Sequence, residues 1–156
     1  MDIGSGSGRD AAAFAELGHS VLAIEPATEL RARAALLHPS PRIEWLNDSL
    51  PALAQVTKRR ETFDLAMLTA VWMHLDREQR DQAMPVLATL VRKGGIAILT
   101  LRHGPIPPGK GIFEVTADET IRLAEEYGMA LVLDVREQPS LSGNAQVSWT
   151  SLVFSR

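Results

Sequence analysis

The sequence predicts an α/β fold: a mostly parallel sheet with helices on both faces and one antiparallel strand near the C-terminus. Three observations predict it. Apolar runs of strand length alternate with helix-forming stretches along most of the chain, the order that builds parallel sheets. "FDLAMLTAV", 63–71, is apolar almost throughout, as a central strand covered on both faces must be. Finally, "ALVLDV" and "QVSWTSLVF" are separated only by a polar turn around Ser142-Gly143-Asn144, too short for a crossover, so those two strands pair antiparallel.

Each element has its own justification. Asp2 and Ile3 read as the end of a strand running into "GSGSGRD". Asp10 to Leu17, "DAAAFAEL", is a strong helix former, and Gly18 stands where helices end. "SVLAI", Ser20 to Ile24, has strand length. Thr28 is read as the cap of a helix from Glu29 to about Leu37, stopped by Pro39. Arg42 to Leu46 is a strand, "DSLPALAQV" a short irregular helix, and "TKRRET", Thr57 to Thr62, a polar connection. Asp76 with Gln79 is the signature of a capping box. The helix that it opens is expected to run towards Arg92, to kink at Pro85 and to close at Gly94-Gly95. "IAILTL", Ile96 to Leu101, is a buried strand, and "RHGPIPPGKG", Arg102 to Gly111, a loop. Thr116 with Glu119 makes a second capping box, for a helix ending at Tyr127-Gly128.

Composition narrows the function. The 156 residues are 46% hydrophobic, enough for one domain spanning 1–156 with a proper core. A net charge of -3 argues against a chain built to hold a nucleic-acid backbone. The absence of cysteine removes disulfides, thiolate metal sites and cysteine nucleophiles, and makes a cytoplasmic home the default. There is no leader and no long apolar run, so no membrane segment is expected. Lys58-Arg59-Arg60 has no interleaved aromatics and reads as a solvated turn. Trp45 and Trp149 read as core packing, and Glu125-Glu126 as a helix face.

Gly4, Gly6 and Gly8 give G-x-G-x-G between the first strand and the first helix, and Arg9 stands where a dinucleotide fold carries its third glycine. A loop this bare lets a ligand approach the backbone at a helix N-terminus. Glu25 closes the second strand at the spacing expected for a carboxylate that reaches ribose hydroxyls. Asp48 follows the third strand and "TAVWMHL" the fourth, so four strand ends converge on one crevice.

With these pieces in place the chain resembles a class I S-adenosylmethionine-dependent methyltransferase, over essentially its whole length. "DIGSGSG" is similar to that family's first motif, "LAIEP" to its acidic second-strand motif, and "NDS" to its adenine segment. "FDLAMLTAVWMHL" is similar to its fourth-strand motif. "LVRKGGIAILTL" resembles its approach to the fifth strand, with Lys93 at the usual proline. The resemblance implies a Rossmann-like three-layer sandwich and S-adenosyl-L-methionine as cofactor. It implies that Asp2 holds the methionine amino group, with Gly4, Ser5, Gly6 and Gly8 lining the amino-acid portion. Glu25 would take the ribose, flanked by Pro26. Asp48 would take the adenine amine, beside Ser49 and Leu50. Thr69 and Ala70 would line the sulfonium, and Trp72 would close over the donor.

Methyl transfer is an in-line displacement that needs alignment and exclusion of water above all; a base is needed only for a protonated acceptor. His74 and His103 are the candidate bases, and Arg102 with His103 the candidate acceptor contacts, the arginine suiting a carboxylate or phosphate. The expected acceptor is a small molecule. Two other readings stand beside this one: a catalytically inactive binding module of the same fold, and a nicotinamide-dependent oxidoreductase. The glycine spacing and the single tyrosine, Tyr127, with no lysine four residues on, count against the latter. Only Met1, Asp2 and Ile3 precede the glycine loop, whereas a central strand needs about five residues. The reading is therefore of an N-terminally truncated chain, a late start or a short variant, with an open donor site and apolar surface that a second copy, as a homodimer, would cover.

Overall fold

The computed structural model describes residues 1–140 and 143–156. Seven strands form one sheet in the order β3-β2-β1-β4-β5-β7-β6. These are β1 (Asp2–Ile3), β2 (Val21–Ile24), β3 (Ile43–Leu46), β4 (Phe63–Leu68), β5 (Val91–His103), β6 (Ala130–Pro139) and β7 (Ser148–Ser155). All neighbours pair parallel except β7, which runs antiparallel to both β5 and β6. This is the predicted mostly parallel sheet with its reversed strand near the C-terminus. Ser142 of the predicted turn lies outside the described residues.

The helices are α1 (Arg9–Glu16), α2 (Thr28–Leu37), α3 (Ala54–Lys58), α4 (Arg77–Leu90) and α5 (Ala117–Glu126). Alternate residues of β2 divide between two apolar clusters, which identifies the two faces. Val21 and Ala23 pack with Ala11, Ala12 and Ala15 of α1. Leu22 and Ile24 join the larger core, which takes in Met84 and Leu87 of α4, Leu123 of α5 and Phe154 of β7. On β5 the same alternation leaves Ala97, Leu99 and Leu101 fully buried towards that core, while Ile96, Ile98 and Thr100 stay half-buried. The α1 face is therefore covered over β2 and β3 but lies open over β5. Central β1 is short. Asp2 pairs with both Ala23 and Met67, and the Met1 carbonyl accepts from the Met67 amide at 3.0 Å.

Several expected boundaries move. Thr28 is the first residue of α2, and the cap position falls to Ala27. The short helix begins at Ala54, after a turn with a cis Leu50–Pro51 bond, and takes Thr57 and Lys58 out of the expected polar connection. Helix α4 stops at Leu90, short of Arg92, because Val91 enters the ladder opposite Phe63. Gly94 and Gly95 therefore close no helix. They sit inside β5, where the register against β4 shifts between Phe63 and Leu65. A Cβ on Gly95 would lie 2.9 Å from the Asp64 carbonyl oxygen, so this close strand crossing requires glycine. Arg102 and His103 also belong to β5, which leaves the loop to begin at Gly104. The Asp76–Gln79 box is complete, with both reciprocal bonds made. At Thr116 only half of a box forms: its hydroxyl accepts from the Glu119 amide, while the Glu119 carboxylate pairs with Arg80 at 3.3 Å.

Candidate functional site

Two clefts open at the carboxyl ends of the parallel strands, where open α/β sheets hold their ligands. The first is a crevice of about 300 Å³ lined by Gly4, Glu25, Pro26, Asp48, Ser49, Leu50, Ala70, Val71 and His74, with Ile3, Ile24 and Leu75 at its base. The second, about 500 Å³, is lined by Arg9, Thr69, Ala70, Thr100, Gln138, Pro139, Ser140 and Trp149. Ala70 belongs to both. It turns the chain after β4 with a left-handed φ of 58°, which costs an alanine on the order of 1 kcal/mol. Its amide is held by the Thr100 hydroxyl of β5 at 2.8 Å.

The glycine loop is shaped as much by its neighbours as by open space. Gly4, Gly6 and Gly8 all take positive φ. A Cβ on Gly4 would lie 2.5 Å from Val71 Cγ2, and one on Gly8 would overlap the Trp45 ring. A Cβ on Gly6 would meet nothing closer than the Gly4 carbonyl oxygen at 3.9 Å. Trp45, expected as core, thus packs half-buried against the α1 cluster and under this loop.

Two carboxylates fix the loops around the crevice. Glu25 is only 7% exposed. One of its oxygens accepts from the Gly6 amide at 3.0 Å and the other from the Ala27 amide at 2.9 Å, so it ties the glycine loop to the start of α2. Each oxygen keeps one lone pair for a ligand. Asp48 accepts from Ser49 through Oδ1, and from the Gln55 and Val56 amides through Oδ2 at 2.7 and 2.9 Å. Its negative charge thereby caps the N-terminus of α3, a role that its sequence position did not announce.

Asp2 sits beneath the glycine loop, 3% exposed, with its Oδ2 buried and without a hydrogen-bond partner; the Ser5 hydroxyl is in the same condition. Burial, followed by the charge of Asp10, pushes the Asp2 carboxyl up to about 6. Asp10 is held low by the Arg9 guanidinium, which gives it two bonds, and by the Thr69 hydroxyl at 2.9 Å. Buried polar atoms left unmatched cost free energy.

The remaining predicted residues divide. His74 lines the first cleft, and its Nδ1 donates to the Gly111 carbonyl at 2.9 Å. His103 and Arg102 do not reach either cleft: they line a third, beside Ile112 and Phe113 on the 104–116 loop. His103 Nε2 bonds the Thr150 hydroxyl at 2.8 Å, and burial lowers its pKa. Arg102 donates to the Pro105 carbonyl. Trp72, expected over the donor, lies wholly inside the larger core, because the 3-10 turn Trp72–His74 aims it inward. Trp149, expected as core, is half-buried: it packs against the larger core and also forms a wall of the second cleft. Sequence reasoning missed that cleft. Its wall comes from β5, β6 and β7, whose juxtaposition depends on register across distant strands. Among the described residues no group of three or more histidine or acidic side chains could hold a metal, and no helix is long and apolar enough to cross a membrane.

Residues 1–99 match the sequence model of a methyltransferase domain. Among curated proteins no match is found. In fold the chain is similar to a TehB-like S-adenosylmethionine-dependent methyltransferase from Corynebacterium glutamicum, at 21% identity and TM-score 0.75, covering 99% of this chain and 78% of that one. It is similar to the N-methyltransferase NodS from Bradyrhizobium japonicum, at 18% identity and TM-score 0.79, covering 99% and 83%. It is also similar to a 1,6-didemethyltoxoflavin-N1-methyltransferase from Burkholderia thailandensis, with bound 1,6-didemethyltoxoflavin and S-adenosylhomocysteine, at 20% identity and TM-score 0.76, covering 99% and 69%. At these identities the likeness is one of fold.

Proposed function

From the premise that this chain belongs to the methyltransferase domain family, we propose that it is an S-adenosylmethionine-dependent methyltransferase acting on a small-molecule acceptor. The observation that carries the reading is Ala70, among the described residues the one that lines both clefts. A donor in the first and an acceptor in the second would meet there. S-adenosylmethionine supplies a methyl group on a sulfonium, transferred by in-line displacement.

This chain's residues fit that donor. Asp2 Oδ2 and the Ser5 hydroxyl, buried without partners, match a ligand ammonium. Glu25 keeps lone pairs for two ribose hydroxyls, between Pro26 and the loop of Gly4, Gly6 and Gly8. Asp48 acts through the backbone: by fixing Ser49 and Leu50 against α3 it shapes the adenine end. Thr69 and Ala70 hold the reacting end. His74 serves the donor side too: a carbonyl only accepts, so Nδ1 carries the proton in the neutral ring and Nε2 is left to accept.

The test is calorimetric titration with S-adenosylhomocysteine. We expect micromolar binding, weakened about tenfold or more by Asp2→Asn and by Glu25→Gln, since each removes a charge-assisted bond. A flat titration of the folded protein would overturn the reading in favour of an inactive module of the same fold.

A further inference from the structure

The second cleft has an unusual chemical composition for a site that accepts a methyl group. It carries hydroxyls from Thr69, Thr100 and Ser140, an amide from Gln138, the Trp149 ring and the Arg9 guanidinium, and among the described residues that line it there is no imidazole, carboxylate, amine or phenol. The two histidines nearest the strand ends face elsewhere, His74 into the donor crevice and His103 into the third cleft. The nearest carboxylate, Asp10, stands behind the cleft and is already engaged by Arg9 and by the Thr69 hydroxyl, which leaves it a weak base; the cleft therefore favours an acceptor atom that arrives with its lone pair exposed.

Charge narrows the class further. Arg9 is 74% exposed on its side chain and is the only ionic group among those residues. Asp10 takes Nε and Nη2 of the guanidinium, which fixes its orientation while Nη1 is not engaged by that carboxylate. Asp10 offsets much of the charge, but Nη1 remains a donor that suits an anionic oxygen better than an ammonium. Trp149 is half-buried and stands on the same sheet face as Thr100, two residues along from its partner Ser151. An indole so placed offers a flat apolar surface for a flat ligand.

We propose that the acceptor is a planar carboxylate, stacked on Trp149, held by Arg9 and methylated on its own oxygen. This rests on the methyltransferase reading of the same site. The balance closes without a base. A carboxylate oxygen lone pair forms the new O–CH3 bond as the S–CH3 bond breaks, the bonding pair stays on sulfur, and a neutral ester and a neutral thioether result with no proton moved. Opposite charges cancel in the step, so a site walled by Ala70, Pro139 and Trp149 favours it over bulk water.

The experiment uses the full chain preloaded with S-adenosylhomocysteine and titrates cinnamate, its neutral amide cinnamamide, and quinoline as a planar base with an exposed ring nitrogen. We expect cinnamate to bind at least about tenfold more tightly than either. Arg9→Gln should abolish that preference while leaving S-adenosylhomocysteine affinity within about twofold, and Trp149→Ala should weaken all three probes. Arg102→Ala and His103→Asn should leave the preference intact. With S-adenosylmethionine as donor, the product should be methyl cinnamate, formed at a rate flat between about pH 7 and pH 9 because no group loses a proton. Equal binding of cinnamate and cinnamamide, a stronger response to quinoline, or loss of S-adenosylhomocysteine binding in Arg9→Gln would each overturn the proposal. Failure of wild-type protein to bind S-adenosylhomocysteine would instead strike the methyltransferase reading beneath it.

Discussion

Asp2 lives in surroundings unlike those of an ordinary carboxylate: buried, beside the charge of Asp10, and with one oxygen unmatched. Its pKa in the folded chain, about 6, lies above the ordinary 3.8. Between those two values the folded chain holds a proton that the unfolded chain has released. This residue therefore makes stability fall as pH rises through that window, and the loss is complete above about pH 6. A ligand ammonium reverses the preference, because it is matched only by the ionised form. S-adenosylhomocysteine affinity, measured calorimetrically, should weaken by about tenfold from pH 7 to pH 5, and Asp2→Asn should flatten that dependence. A wild-type profile that stays level would remove Asp2 from the donor contacts. The identity and spacing of Asp2 and Glu25 were legible in the sequence. That Asp48 caps α3 was not, since its partners Gln55 and Val56 look like ordinary helix residues in a linear text.

Local chemistry announced some elements and misled on others. The Asp76–Gln79 pair makes both of its bonds, and its helix begins where the sequence said. Asp76→Ala should cost about 1 kcal/mol in urea denaturation. Thr116→Ala should cost less: each side chain accepts one amide bond, but Asp76 also places a negative charge at its helix N-terminus. Equal losses would mean that this charge contributes nothing in solution. Gly94-Gly95 shows the opposite case. A glycine pair after a helical pattern signals a helix end, yet tertiary pairing of Val91 with Phe63 claims the chain three residues earlier, and the glycines serve a crowded crossing of strands. Trp72 turned into the core, and Trp149 came to line a cleft as well as the core, for a similar reason. Which side of a strand or turn an indole takes is set by register, which only the assembled sheet determines.

At the level of the whole molecule, the two faces of the sheet are unequally covered. Ile98 and Leu99 are neighbours on β5, the first half-buried on the open face and the second fully buried in the main core. Leu99→Ala should cost about 2–5 kcal/mol, and Ile98→Ala clearly less, in parallel urea titrations at low protein concentration. A loss at Ile98 equal to that at Leu99, growing with protein concentration, would show that another copy covers this face in solution. Element alternation and the short final turn made the mostly parallel sheet with its one antiparallel strand readable. The uneven cover was not, because apolar runs in a sequence do not reveal which helix packs where. Ala70 joins two walls written at opposite ends of the text: the first cleft draws mainly on the first fifty residues, while Thr100, Gln138 and Trp149 of the second come from the last strands. On the proposed reading, then, and apart from Arg9, the C-terminal hairpin could be rewritten for another acceptor without disturbing the residues that would grip the nucleoside.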